Sequence, residues 1–197
     1  ALPISKNEFE RAIKLLKECL EYPHNLGEGK LSGAQENDFL YWLGCAYEGL
    51  EQMDESRKYW ELAKDGNTEP AAAIFYNDQK PDKIFYQGLA LLKLGLQNEA
   101  NIRFDKLIAF GEKHLDDTIK LDYFAVSLPD LLIWEDDLTF RNKIHCHYML
   151  GLGYFGLGEI DTPGNYDLAA RSANVIDVYS LVSALAQHDR FLCIQNT

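Results

Sequence analysis

Two stretches of this chain align with each other without a gap. Leu40-Tyr41-Trp42-Leu43-Gly44-Cys45-Ala46-Tyr47 leads on to Ser56, Trp60 and Ala63, while Ile84-Phe85-Tyr86-Gln87-Gly88-Leu89-Ala90-Leu91 leads on to Ala100, Phe104 and Leu107, each pair 44 residues apart. Ala12, Leu16 and Cys19 lie the same 44 residues before Ser56, Trp60 and Ala63, and His147-Tyr148-Met149-Leu150-Gly151-Leu152-Gly153-Tyr154 opens a further copy. An offset shared by large, small and aromatic positions restricts the chain to units that stack on their neighbours, because one such unit cannot bury its apolar face alone. A glycine inside a helix costs about 1 kcal/mol relative to alanine. Gly44, Gly88 and Gly151 therefore predict a second helix passing close to the backbone, with Ser56 and Ala100 as the reciprocal small residues and Trp60 and Phe104 filling the gap between hairpins.

This order of a large apolar residue, Leu-Gly, Tyr, and then a small residue and an aromatic on a second helix resembles the tetratricopeptide repeat. The resemblance implies an all-α fold, a right-handed superhelical array of antiparallel helix hairpins. The period of 44 residues exceeds the family's usual length of about 34. The surplus falls in residues 23–30 and 69–81, rich in Gly, Pro, Asn and Asp, which are expected to form ordered connections.

The expected organisation of 1–197 is a single helical-repeat domain. It comprises a half repeat (5–22), two repeats (36–65 and 82–110), an acidic insert (111–140), a degenerate repeat start (141–158) and C-terminal capping helices (159–197). Ser5-Lys6-Asn7-Glu8 reads as a capping box for a helix carrying Phe9, Ala12, Ile13, Leu16 and Leu20, ended by Pro23. Further helices are expected over 36–50, 55–64, 82–94 and 98–110, with Asp82 as an N-cap. The insert holds eight acidic residues against Lys113 and Lys120, a net of −6 and half the charge of the chain. Its apolar strings, Tyr123 to Val126 and Leu131 to Trp134, predict short helices or turns packed on the array, interrupted at Pro129.

Composition narrows the function classes. With 47% apolar residues the chain buries a continuous core, and a net charge of −12 argues against nucleic acid and anionic lipid as partners. No apolar run approaches the roughly 18 residues that a membrane helix requires. The first residues, Ala1-Leu2-Pro3-Ile4-Ser5-Lys6, lack a basic n-region and an apolar h-region, so they read as a boundary with natural sequence upstream. Cys19, Cys45, Cys146 and Cys193 show no metal-type spacing and suit a reducing, cytoplasmic compartment.

Four longer strings carry a second resemblance: residues 25–30, 33–38, 75–83 and 123–130. Over 5–158 the chain resembles the C-terminal repeat region of large bacterial proteins whose N-terminal half is a β-rich domain of unknown function. That resemblance implies no activity of its own, and by analogy alone a carbohydrate-related setting.

Few residues offer chemistry. His145 and His147 sit two apart, about 200° around a helix, and so cannot share a metal there. His147 is expected at a packing position and His145 on the groove side. Asp116-Asp117 and Glu135-Asp136-Asp137 lack the alternating ligands of a calcium loop and read as a solvated edge or helix cap. No GxSxG, phosphate loop or HExxH occurs. The expectation is a non-catalytic segment without cofactor or metal.

The stronger candidate is a surface. By motif position in the tetratricopeptide resemblance, the concave face is lined by Asp38, Tyr41, Cys45 and Glu48, then Asp82, Phe85, Leu89 and Leu92, then His145, Tyr148, Leu152 and Phe155. Aromatic anchors with an acidic rim suit a peptide, a partner protein or the chain's own upstream domain. The alternative is an accessory module of a carbohydrate-active enzyme, in which Tyr76, Asn77, Asp78 and Gln79 would contact a glycan.

Overall fold

A computed structural model describes residues 2–23, 25, 29–30, 33–72, 78–120 and 137–158. Among these residues every regular element is a helix. The elements are α1 (Leu2–Ser5), α2 (Phe9–Cys19), α3 (Asn37–Gly49), α4 (Met53–Ala63), α5 (Pro81–Lys93), α6 (Gln97–His114) and α7 (Leu138–Leu157). The chain divides into two compact units, one of residues 1–71 and 79–106, the other of residues 72–78 and 107–197.

In the first unit α3 packs against α2, α4 and α5. The α3–α4 pair is antiparallel: the side chain of Asn37, at the start of α3, reaches the carbonyl of Ala63, at the end of α4. A Cβ on Gly44 would run into the indole of Trp60, and one on Gly88 into the ring of Phe104, so the missing side chains set how closely each helix approaches its partner. Gly49 meets the ring of Phe9 in the same way, which docks α2. Tyr41, Trp60, Ala63 and Ala90 form a buried cluster walled by Leu40, Trp42, Tyr86, Leu89 and Leu94.

Three turns in this unit are built alike. After α1, Asn7 has φ +58°, and the amides of Asn7 and Glu8 donate to the carbonyls of Ile4 and Pro3. After α3, Glu51 has φ +60°, with bonds from Glu51 to Glu48 and from Gln52 to Tyr47. After α5, Gly95 has φ +78°, with bonds from Gly95 to Leu92 and from Leu96 to Leu91. Each turn closes its helix by putting one residue in the left-handed region and satisfying two terminal carbonyls. The left-handed positions 7, 51 and 95 are 44 residues apart.

Several local expectations change. Ser5 belongs to α1 and opens no capping box; α2 begins after Glu8, whose side chain makes no cap hydrogen bond. Asp82 is not the N-cap of α5. Lys80 holds that place in extended conformation, and Pro81 occupies the first helical position, where its fixed φ suits the helix and no amide hydrogen is missed. The α6 helix runs on to His114, a turn beyond the expected repeat and into the start of the insert.

In the second unit α7 is one helix of 20 residues. Asp137 is its N-cap, accepting from the amide of Phe140 at 3.1 Å, and Gly158 ends it at φ +77°. Here a tight approach is found at Gly111. A Cβ on Gly151 would meet nothing within 4 Å among the described residues, whereas one on Gly111 would lie 2.7 Å from Leu150 and 2.8 Å from the carbonyl of Cys146. The acidic apolar strings of the insert and the expected capping helices lie outside the described residues.

Candidate functional site

The candidate groove residues of the first unit all lie on α3 and α5, but they play different parts. Tyr41 and Phe85 are only 6% and 4% exposed, so in this unit they are core and not anchoring surface. Tyr41 packs edge-on to Trp42 at 5.2 Å and beside Tyr86 at 5.5 Å. Phe85 lies 5.6 Å from Tyr86 and 6.0 Å from Phe104. The physical reason is the three-sided packing of α3 and the Phe104 contact against α5, which turn positions expected to line a groove into contacts between helices.

The acidic positions of the face are bridged by lysines from the next hairpin. Lys83 Nζ reaches Asp38 Oδ1 at 2.6 Å and Asp82 Oδ2 at 3.7 Å, and it stands 5.5 Å from the centre of the Phe39 ring. Lys93 Nζ reaches Glu48 Oε2 at 2.7 Å and stands 5.4 Å from the Trp60 ring. Between the two ion pairs, Trp42 Nε1 donates to the Tyr86 hydroxyl at 3.2 Å. Leu89 and Leu92 remain half-buried beside this ladder.

Burial governs the acid–base behaviour of the face. It pushes the Cys45 thiol up to about 11, against a smaller opposing effect of Lys93, so this cysteine is a poor nucleophile. Burial likewise pushes the Tyr86 phenol up to about 12, with the Trp42 hydrogen bond opposing. The Tyr41 phenol is raised well above its ordinary value, again chiefly through burial. The Asp82 carboxyl is raised above the usual aspartate value because it is desolvated, with Lys83 opposing and the charge of Asp38 adding to the rise.

The second unit holds the rest of the candidates on α7. Phe155 and Leu152 are buried, at 6% and 2% exposure, while His145 and Tyr148 are half-buried. The His145 ring meets Phe110 edge-on at 6.5 Å, and Phe110 lies 4.4 Å from His114, whose Nδ1 pairs with Asp117 Oδ2 at 2.6 Å. Asn142 Nδ2 donates to the carbonyl of His114 at 2.7 Å, tying α7 to the end of α6. His147 is half-buried, and its pKa is lowered by desolvation and then by Lys143. Burial pushes the Cys146 thiol up to about 11. Among the described residues no group of three or more His, Cys, Asp or Glu side chains is placed to hold a metal ion. No helix among them is long and apolar enough to cross a membrane.

Of the linker candidates, Tyr76 and Asn77 lie outside the described residues. Gln79 is 8% exposed, and its amide donates inward, to the carbonyl of Asn67 at 3.1 Å and to Gln35 Oε1 at 3.4 Å. It belongs to a set of side-chain amides around the α4–α5 connection. Asn37 Nδ2 donates to the carbonyls of Ala63 and Asp65, both at 2.7 Å, and Gln87 Nε2 donates to those of Asn67 at 3.0 Å and Asp65 at 3.5 Å. Sequence reasoning singled out Gln79 only as a glycan contact and passed over Asn37, Gln87, Lys83 and Lys93. The usable signals were Gln35 and Gln79, 44 residues apart, and the lysines that follow Asp38 and Glu48 by 45 residues.

In comparison with known proteins, no family model matches the chain and no solved structure matches it.

Proposed function

We propose that the chain is a non-catalytic helical-repeat scaffold of tetratricopeptide type. Its hairpins stack with a period of 44 residues in a right-handed superhelix and offer one face to an extended peptide segment of a partner protein. The observation that carries this reading is the recurrence of one turn at Asn7, Glu51 and Gly95, each with the same pair of backbone hydrogen bonds. The Gly44–Trp60 and Gly88–Phe104 contacts support it, as do the Trp42–Tyr86 and Gln35–Gln79 hydrogen bonds across 44 residues. Repeat arrays of this kind bind along an extended surface because each unit supplies a similar set of side chains.

On α3 and α5 that surface consists of Leu89 and Leu92 as apolar contacts, with Asp38, Glu48 and Asp82 as acceptors. Lys93 pairs with Glu48, and Lys83 lies between Asp38 at 2.6 Å and Asp82 at 3.7 Å, so Asp82 is the more loosely held carboxylate and the one to choose a basic or hydroxyl-bearing side chain. The test is a fluorescence titration of the whole chain with an extended peptide alternating leucine and lysine, against a control with glutamate for lysine. Saturable binding of the first peptide and a loss of roughly tenfold or more in the Leu89→Ser/Leu92→Ser variant are expected. Equal affinity for both peptides, or an unchanged variant, refutes the assigned face.

A further inference from the structure

The amides around the α4–α5 connection are oriented by their own hydrogen bonds. Asn37 Nδ2 and Gln87 Nε2 each serve two backbone carbonyls, so turning either group over would set oxygen against oxygen. The opposite end of each amide is thereby fixed as an acceptor. Asn37 is 2% exposed and Gln87 0%, and among the described residues neither Asn37 Oδ1 nor Gln87 Oε1 receives a hydrogen bond. Glu36 Oε1 is in the same position, while its other carboxylate oxygen accepts from Lys30 at 2.6 Å.

Gly66, in the middle of the connection, makes room for this arrangement. Its φ of +126° is a conformation that suits glycine, and a Cβ there would lie 2.7 Å from Gln35 Oε1 and 3.2 Å from Gln87 Nε2. The acceptors of Asn37 Nδ2 and Gln87 Nε2 are all backbone carbonyl oxygens, which cannot donate to the bare oxygens. Buried acceptors in folded proteins are satisfied almost without exception, and where the protein does not do so an internal water does.

We infer that the junction of α3, α5 and the α4–α5 connection is a binding site for internal water, donated to Asn37 Oδ1 and Gln87 Oε1. Water fits better than a cation: the two amides carry no formal charge, and Glu36, next to Asn37 in the chain, is already paired with Lys30. The bound water completes the polar clamp that holds the 63–67 backbone, and with it the start of the next hairpin.

A crystal structure of the whole chain, followed by a rubidium soak of the same crystals, tests this. Expected are solvent peaks at ordinary hydrogen-bond distance, about 2.7–3.1 Å, from Asn37 Oδ1 and from Gln87 Oε1, with no anomalous rubidium signal there. Dry oxygens, or either oxygen accepting from a protein N–H, overturn the inference. A rubidium peak at those oxygens overturns it in favour of a monovalent cation site.

Discussion

Gly88 and Gly151 hold the same place in the repeated string, yet their surroundings differ. Gly88 is filled against by the Phe104 ring, as Gly44 is by Trp60, whereas around Gly151 a Cβ would find open space among the described residues. In the unit containing α7 a close contact lies at Gly111, against Leu150 and the carbonyl of Cys146. A glycine in a repeat string therefore marks where helices can approach, and at Gly44 and Gly88 the aromatic of the following helix turns that permission into a contact.

The comparison breaks most sharply at the glycines themselves. Gly44→Ala and Gly88→Ala are each expected to lose about 2–3 kcal/mol by overpacking against an aromatic ring. Gly151→Ala should gain about 0.5–1 kcal/mol from helix propensity alone. Urea denaturation curves of the three variants decide the matter, and a clearly destabilised Gly151→Ala would show that its surface is covered after all.

The next effect concerns the shared turn, which uses three different residues for one backbone conformation. Gly95→Ala should cost about 1 kcal/mol, and Glu51→Gly should gain about 1 kcal/mol, since a side chain in the left-handed region is disfavoured by that order. Equal and unchanged midpoints for the two would mean that these turns differ energetically despite their common bonds.

Smaller still is the contrast between ion pairs. Lys93→Met breaks a half-buried bridge between hairpins and should cost about 0.5–1 kcal/mol, less at high salt. Lys64→Met breaks a pair within one helix turn, to Glu61 at 2.6 Å, and should cost about 0.3 kcal/mol. Thermal melts at low and high salt separate the two.

The smallest difference is one of pH. The Asp82 carboxyl titrates above the usual aspartate value in the folded chain, chiefly because it is desolvated. The folded state thus takes up its proton before the unfolded state does. Stability should rise as pH falls through the interval between the raised and the ordinary value, and that gain is lost as pH rises again. Asp82→Asn should flatten this part of the profile, and identical profiles for the two proteins would remove Asp82 from the account.

The helices themselves were largely legible in the sequence. Those expected over 36–50 and 82–94 appear as Asn37–Gly49 and Pro81–Lys93, because apolar periodicity and flanking Gly and Pro mark such segments well. The boundary chemistry was less so: Ser5 and Asp82 carry the right side chains for caps, but neighbouring backbone bonds and Pro81 take those places. The candidate face was only partly legible. On α3, apolar residues occur on nearly every side, so periodicity alone could not tell that Tyr41 faces Trp42 and Tyr86 instead of solvent. The lysine bridges and the amide clamp depend on which residues meet across hairpins, which local pattern does not report.

The contact between Gly44 and Trp60 couples two positions that lie 16 residues apart in the chain. Neither can drift alone: a larger residue at the first becomes tolerable only once the second has shrunk. Among descendants of this sequence the two should change as a pair, and the same should hold for Gly88 with Phe104, while Gly151 varies freely. Ancestry would then preserve the packing as a correlation even where neither letter survives.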